Sequence, residues 1–302
     1  MERDENMKMK ILAAAVACSM LAACGGSDND NSVTPEDASH SVMAYDPAVR
    51  GMNASYSCDN GTSGSAGTTD NDGIVKITNT TVVNTPDTCS FTFAGATGAV
   101  DMSNGKDMSK VSYKIPRGLA KAGSIVTASP LTTLIANKLG DAEYTESAAI
   151  EVLSDLGLDV TNSTGISVEQ LLLNTENVLE TQLSNASLVA QVRATTAVLS
   201  DVLVVSPNAS ADNVAQAAKK IANEVIKTYP NYPKSGSGED EIYLDFTADT
   251  TVINDVVSNP GKDIVITLPE AKPSKPVDIT EPPATGGTGG TGGEDNGGGT
   301  GD

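Results

Sequence analysis

The chain has 302 residues and carries 39 acidic against 19 basic side chains, a formal net charge of -20 at pH 7. Such an excess of carboxylate argues against nucleic acid, whose phosphates need Lys and Arg for neutralisation, and against direct binding to anionic lipid. With no Trp and three Phe the chain also lacks the aromatic surface of a rich sugar-stacking platform, although its seven Tyr allow a weak carbohydrate contact.

The first element is a leader. Lys8 and Lys10 precede an apolar run over residues 11–21, which is too short for the roughly 20 residues a membrane-spanning helix needs. Basic residues, a short apolar core and small residues before a cysteine are the pattern of an export signal. The sequence LAAC at residues 21–24 resembles the lipobox of bacterial lipoproteins. That resemblance implies removal of residues 1–23 and acylation of Cys24, with the membrane as a partner through the lipid. The acidic MERDEN is out of character for such a leader, which makes Met7 a plausible start. The leader holds three basic and three acidic residues, so its removal leaves the net charge unchanged. Gly25 follows the cysteine and the first Asp is Asp28, so the Asp that resembles an inner-membrane retention signal is missing. The expected location is therefore the outer membrane, on its surface or its periplasmic face.

Residues 24–46 are rich in Ser, Asn, Asp and Thr and read as a flexible tether. Residues 47–117 read as strands. Ala48, Met52, Ala54, Tyr56 and Cys58 share one parity, and so do Cys89, Phe91 and Phe93. Asp70 to Gly73 reads as a turn, followed by a strand with Val75 and Ile77 inward, and Val111, Tyr113 and Ile115 make one more. Cys18 leaves with the leader and Cys24 takes lipid, so Cys58 and Cys89 remain as a pair in an oxidising compartment and are expected to form a disulfide. GMNASYSCDNGTSG followed by GTTDNDGIVKI is similar to the small transthyretin-like or carboxypeptidase-regulatory-like β-sandwich of bacterial surface proteins. That likeness implies a spacer or binding module and brings no catalytic residue.

Residues 118–230 change to helical period. In TASPLTTLIANKLG, Ser129 is placed to cap a helix, Pro130 to open it and Gly140 to end it, with Leu131, Leu134, Ile135 and Leu139 on one face. Thr145 opens a second helix that closes at Gly157. Ser167 and Gln170 form a capping box for a third, which carries Leu171, Leu172, Val178 and Leu179. Residues 187–205 and 210–229 complete an expected all-α bundle of about five helices. SPLTTL is similar to the start of a helical domain that follows such sandwiches in large bacterial surface proteins, which implies no specific site. Residues 231–268 read as a closing β-α-β segment, with EIYLDFTA and KDIVITLP as strands around a helix near residues 252–257. Residues 269–302, rich in Pro and then Gly, read as a disordered tail. The expected fold class is thus α+β: a disulfide-bonded antiparallel sandwich, a helical bundle and a terminal β-α-β.

The candidate chemistry thins on inspection. DNDG suggests calcium, but aligning Gly73 with the sixth position of an EF-hand loop puts Thr68 first and Asn79 twelfth, and both anchoring carboxylates are missing. Ser103 and Lys106 spell SxxK and Ser27 to Asn29 spell SDN, yet no KTG exists and SNGK reads as a turn rather than a helix start. A Ser-His-Asp triad has a single histidine to draw on, His40, which falls in the expected tether. Two thiols and one histidine also make a zinc site improbable. The expected function is a non-enzymatic binding, adhesion or envelope-scaffold module acting on a protein or surface ligand, without cofactor or metal. The alternative is a glycan hydrolase working with two of the many carboxylates.

Overall fold

A computed structural model of the chain describes residues 38–279, apart from residues 237 and 239. In chain order the strands are β1 (His40–Ala44), β2 (Val49–Arg50), β3 (Asn53–Cys58), β4 (Ser63–Thr68), β5 (Ile74–Ile77), β6 (Cys89–Ala94), β7 (Val100–Asp101), β8 (Ser112–Ile115) and β9 (Val126–Ala128). Two short ones, β10 (Ile242–Tyr243) and β11 (Lys272–Pro273), come later. The helices are α1 (Thr80–Asn84), α2 (Pro130–Leu139), α3 (Glu146–Asp155), α4 (Val160–Thr164), α5 (Val168–Leu173), α6 (Thr175–Asn177), α7 (Ala186–Val205), α8 (Ala211–Thr228) and α9 (Thr251–Ser258). The fold is mixed α+β, as expected.

The largest sheet is antiparallel, in the order β4-β3-β6-β8. Its alternation is as the sequence has it: Cys58, Cys89, Phe91, Phe93, Tyr113 and Ile115 are buried, while Ser55, Ser57, Thr92 and Lys114 face out or lie near the surface. Cys58 stands opposite Cys89 in the β3/β6 register, and the two form a disulfide. The bond therefore joins neighbouring strands of one sheet. A second sheet has the order β5-β1-β9, with β5 antiparallel and β9 parallel to β1. Two-stranded ladders β2/β7 and β10/β11 complete the set among the described residues.

Here the chain departs from the expected tether. His40–Ala44 is a strand, and Val42, Met43, Ala44 and Tyr45 are all buried. Alternation is missing because the strand is central in its sheet and covered on both faces, the condition under which strands read as unbroken apolar runs. The strand expected over residues 48–58 is broken into β2 and β3 at Gly51, whose φ is +85°. A side chain there would stand 3.1 Å from the Ala99 backbone, so β2 turns away to pair with β7. β4 has no sequence signal: SGSAGT offers little to bury, and it is an edge strand held by its backbone along β3. The Asp70 turn is present, with the Asp70 carboxylate accepting from the Asp72 and Ile74 amides.

The helix signals act locally as read. Ser129 caps α2 in a capping box with Thr132, Pro130 opens it and Gly140 closes it. Thr145 caps α3, Ser167 and Gln170 box α5, and Ser210 caps α8. The third expected helix is interrupted, because Asn174 ends α5 and its side chain caps α6, after which Val178–Gln182 runs as a π-helical turn. α7 is long and apolar enough to cross a membrane, but it is mostly buried against other parts of the fold. The apolar side chains of sheets and helices make one continuous cluster, from Val42 in β1 to Val257 in α9. β9 contributes to it from beyond residue 117, through its parallel pairing with β1.

The C-terminal segment differs from expectation too. Residues 262–269 form no ladder; Ile264, Ile266 and Leu268 keep a period of two but lie half-buried against the core. β11 lies in the expected tail and pairs with β10, and beyond it the Lys275 and Val277 amides donate to the Asn104 and Met102 carbonyls. Backbone pairing, which needs no apolar side chain, fixes what the Pro-rich composition leaves unmarked.

The disulfide closes a loop of sequence separation 31, for which chain entropy gives about 3 to 4 kcal/mol. The double variant Cys58→Ser/Cys89→Ser should fold with that much less stability. Urea unfolding checks it, a midpoint unchanged from wild type being the contrary result.

Candidate functional site

A set of polar residues at the junction of β1, β7, β8 and α7 is buried, apart from a half-buried lysine. Asp46 follows β1, Asp101 ends β7, Lys106 lies in the β7–β8 connection, Tyr113 is in β8, and Ser200 and Asp201 are in α7. Asp101 and Asp201 are each 1% exposed and Asp46 is 9% exposed. Burying such groups is costly unless each finds partners.

The partners are present. Lys106 Nζ donates to Asp201 Oδ1 at 2.6 Å and to the Leu244 carbonyl at 3.4 Å, while the Phe246 amide donates to Asp201 Oδ2 at 2.9 Å. Asp101 accepts from the Ser103 amide and hydroxyl and from the Asn104 side chain, all within 2.8 Å. The Tyr113 hydroxyl donates to Asp46 Oδ2 at 2.8 Å and lies 2.9 Å from Ser200 Oγ. Near the surface, Lys272 binds Asp245 Oδ2 at 2.8 Å.

Charge balance within this network is uneven, since three buried carboxylates surround one ammonium. Burial would lower the Lys106 ammonium, but the Asp201 carboxylate beside it more than offsets that, and the net shift is upward. Burial pushes Asp46 up to about 8, against the pull of Lys106 and the Ser200 hydrogen bond. It pushes Asp101 up to about 6, against the hydrogen bonds from Ser103 and Asn104. Burial raises Asp201 as well, against the pull of Lys106 beside it, and at neutral pH Asp46 is mainly protonated.

Cavities flank the network. One of about 190 Å³ includes Tyr45, Asp46, Asn104, Glu180, Arg193 and Tyr232 in its lining. It shares Arg193, Tyr232 and Glu241 with an outer groove of about 450 Å³. A third, of about 290 Å³, lies on the Lys106, Asp201 and Asp245 side. A fourth is an open polar cleft of about 840 Å³ along the outer side of β3, β6 and β8, where Asp59, Lys114, Arg117 and Asn137 are among its walls. Arg117 pairs there with Asp59, and Lys114 reaches Asn137 at 3.0 Å.

The residues singled out in the sequence fall in different places. Cys24 and the Ser27 to Asn29 stretch lie outside the described residues. Cys58 is at the wall of the wide cleft, bonded to Cys89. His40 is 3% exposed, stacked on Phe91 with ring centroids 5.9 Å apart, and its Nε2 has no hydrogen-bond partner. It is thus a buried core residue rather than part of a tether, and burial lowers its pKa. Ser103 and Lys106 lie in a turn, bound to different aspartates. Gly73 fills a close approach to the Ala44 carbonyl, where a side chain would stand 2.4 Å from the oxygen, and Asn79 caps α1. Among the described residues, no group of three or more His, Cys, Asp or Glu is arranged for a metal.

The sequence reading missed Asp46, Asp101, Tyr113 as a donor, and the Lys106–Asp201 pair. One signal was available: Asp201 interrupts the otherwise apolar face of VLSDVLVV, and a charge there calls for a partner. Nothing in the sequence says that the partner lies 95 residues away. Comparison with known proteins finds no family model, no curated protein and no solved structure that matches the chain.

Removing Lys106 should strand Asp201. Lys106→Met is expected to cost about 3 to 5 kcal/mol, the range for breaking a buried pair, and Lys106→Met/Asp201→Leu should recover much of it. Additive losses in urea unfolding of the single and double variants would contradict the pairing. Asp46 sets a second test. Its pKa rises from 3.8 unfolded to about 8 folded, so the stability it adds is complete below pH 3.8 and is lost as pH rises toward 8. The slope is at most about 1.4 kcal/mol per pH unit. Asp46→Asn should flatten the stability profile between pH 5 and 8.5; parallel profiles for variant and wild type would count against the protonated carboxyl.

Proposed function

We propose that the chain is a non-enzymatic binding, adhesion or scaffold module of the bacterial envelope, anchored in the outer membrane through an acylated Cys24. The LAAC pattern after a short apolar core supports the anchor. Dual or triple acylation gives stable attachment where one chain is marginal, so the body needs no membrane segment of its own.

The observation that carries the binding reading is the division between buried and open polar groups. Asp46, Asp101 and the Lys106–Asp201 pair have their polar atoms taken up by partners within the fold, whereas the polar cleft over β3, β6 and β8 is broad and open. That cleft offers cations, amides and backbone groups to a protein or surface ligand. In the same reading the two larger sheets correspond to the transthyretin-like sandwich, and α2, α3, α7 and α8 to the helical bundle that follows it in surface proteins.

A hydrolase is the second reading, favoured by one arrangement. Asp46, held mainly protonated, shares the cavity of about 190 Å³ with the exposed Glu180 and Glu241, and two-carboxylate glycan chemistry needs one protonated and one ionised acid. Turnover of a glycan or peptide panel by the purified protein would decide for this reading.

The anchor is tested by fractionation and protease shaving of intact cells. Wild type is expected with the membranes and Cys24→Ser without them. Shaving by external protease then indicates the cell surface, and protection indicates the periplasmic face. Unchanged membrane association of Cys24→Ser would overturn the anchor.

A further inference from the structure

Arg193 lines both the cavity of about 190 Å³ and the outer groove. It is half-buried in α7, and its guanidinium makes no hydrogen bond or ion pair with any described residue. Tyr45, 5% exposed, lines the same cavity, and its hydroxyl likewise has no hydrogen-bond partner among the described residues. The two are close enough that the Arg193 charge acts on the phenol, pulling down a hydroxyl that burial raises. Two donors without a protein partner thus converge on one partly open cavity, where they are free to bind an anion.

The remaining walls narrow the choice of anion. Glu180, on the π-helical turn, and Glu241, beside β10, are exposed at the cavity and form no ion pair with described residues. A simple anion would meet repulsion from them. A ligand with a carboxylate at one end and an ammonium at the other meets Arg193 and Tyr45 inside and the two glutamates outside. Asp46, also in the wall, is mainly neutral at pH 7 and so does not oppose the carboxylate. Tyr232, Pro47 and Ile242 supply apolar wall for a side chain. The volume of about 190 Å³ is below the roughly 300 to 1,000 Å³ of drug-sized sites, which restricts the occupant to a small metabolite.

We propose that the cavity bounded by Tyr45, Arg193, Glu180 and Glu241 is a binding site for a free α-amino acid. Its carboxylate takes two charge-assisted hydrogen bonds from the Arg193 fork and one from the Tyr45 hydroxyl. The ammonium lies at the rim between Glu180 and Glu241. This site is separate from the wide cleft over β3, β6 and β8, so it stands or falls independently of a macromolecular partner there.

The test is titration calorimetry on the full chain in detergent, with the twenty amino acids as probes and acetate and methylamine as half-molecule controls. At least one amino acid is expected to bind with Kd below about 1 mM, and neither control to match it. Arg193→Gln should weaken that affinity about tenfold or more and Tyr45→Phe several-fold. Glu180→Gln/Glu241→Gln should weaken the amino acid several-fold as well. Tyr45→Phe removes only an unpartnered hydroxyl, so its fold is retained, and thermal unfolding of each variant without ligand checks this. Absence of binding across the panel, acetate binding as well as any amino acid, or an affinity unchanged in both Arg193→Gln and Tyr45→Phe would overturn the proposal.

Discussion

The ion pair between Lys106 and Asp201 is the constraint on which the arrangement around it turns. Asp201 lies in a helix otherwise buried by its apolar side chains, and an unpartnered carboxylate there would cost several kcal/mol. Lys106 supplies the counter-charge from a loop between two sheet strands, and the Phe246 amide supplies a second donor from the segment after β10. One carboxylate thereby specifies how three distant parts of the chain meet. Apolar contacts alone tolerate small slides; a hydrogen-bonded pair 2.6 Å apart does not.

Asp101 and Asp46 extend that constraint in two directions. Asp101 organises the loop that carries Lys106, by accepting from Ser103 and Asn104, and the same loop offers its Asn104 and Met102 carbonyls to the C-terminal segment. Asp46 connects the end of β1 through Tyr113 to Ser200, one residue before Asp201. The cavities lie against this framework, so their shape depends on residues that do not themselves face a ligand. A rigid polar wall of this kind holds donors such as Arg193 and Tyr45 in place.

What the sequence reveals is mostly what is local. Ser129, Pro130 and Gly140 act within one helix, the Ser167–Gln170 box within one turn, and the parity of Cys58 and Cys89 within two strands; each is readable because its partners are a few residues away or share a period of two. β1 was hidden because a fully covered strand lacks alternation and follows a polar stretch. β9 is three residues long and gains its identity from a parallel partner more than 80 positions earlier (Val126 opposite Val42). β11 and the strap over Met102 and Asn104 use backbone groups, on which side-chain patterning is silent. The buried network was legible only at Asp201, where polarity breaks an apolar face.

The central position of β1 has a mechanical side. Its ladder bonds, perpendicular to the strand toward β5 and slanted toward β9, are loaded together by a pull along the strand from residue 40. An edge strand loaded at one end in the perpendicular direction would instead give way bond by bond. A force applied along the chain at residue 40 would therefore load the interior of a sheet, in shear, where peeling has no free edge from which to start.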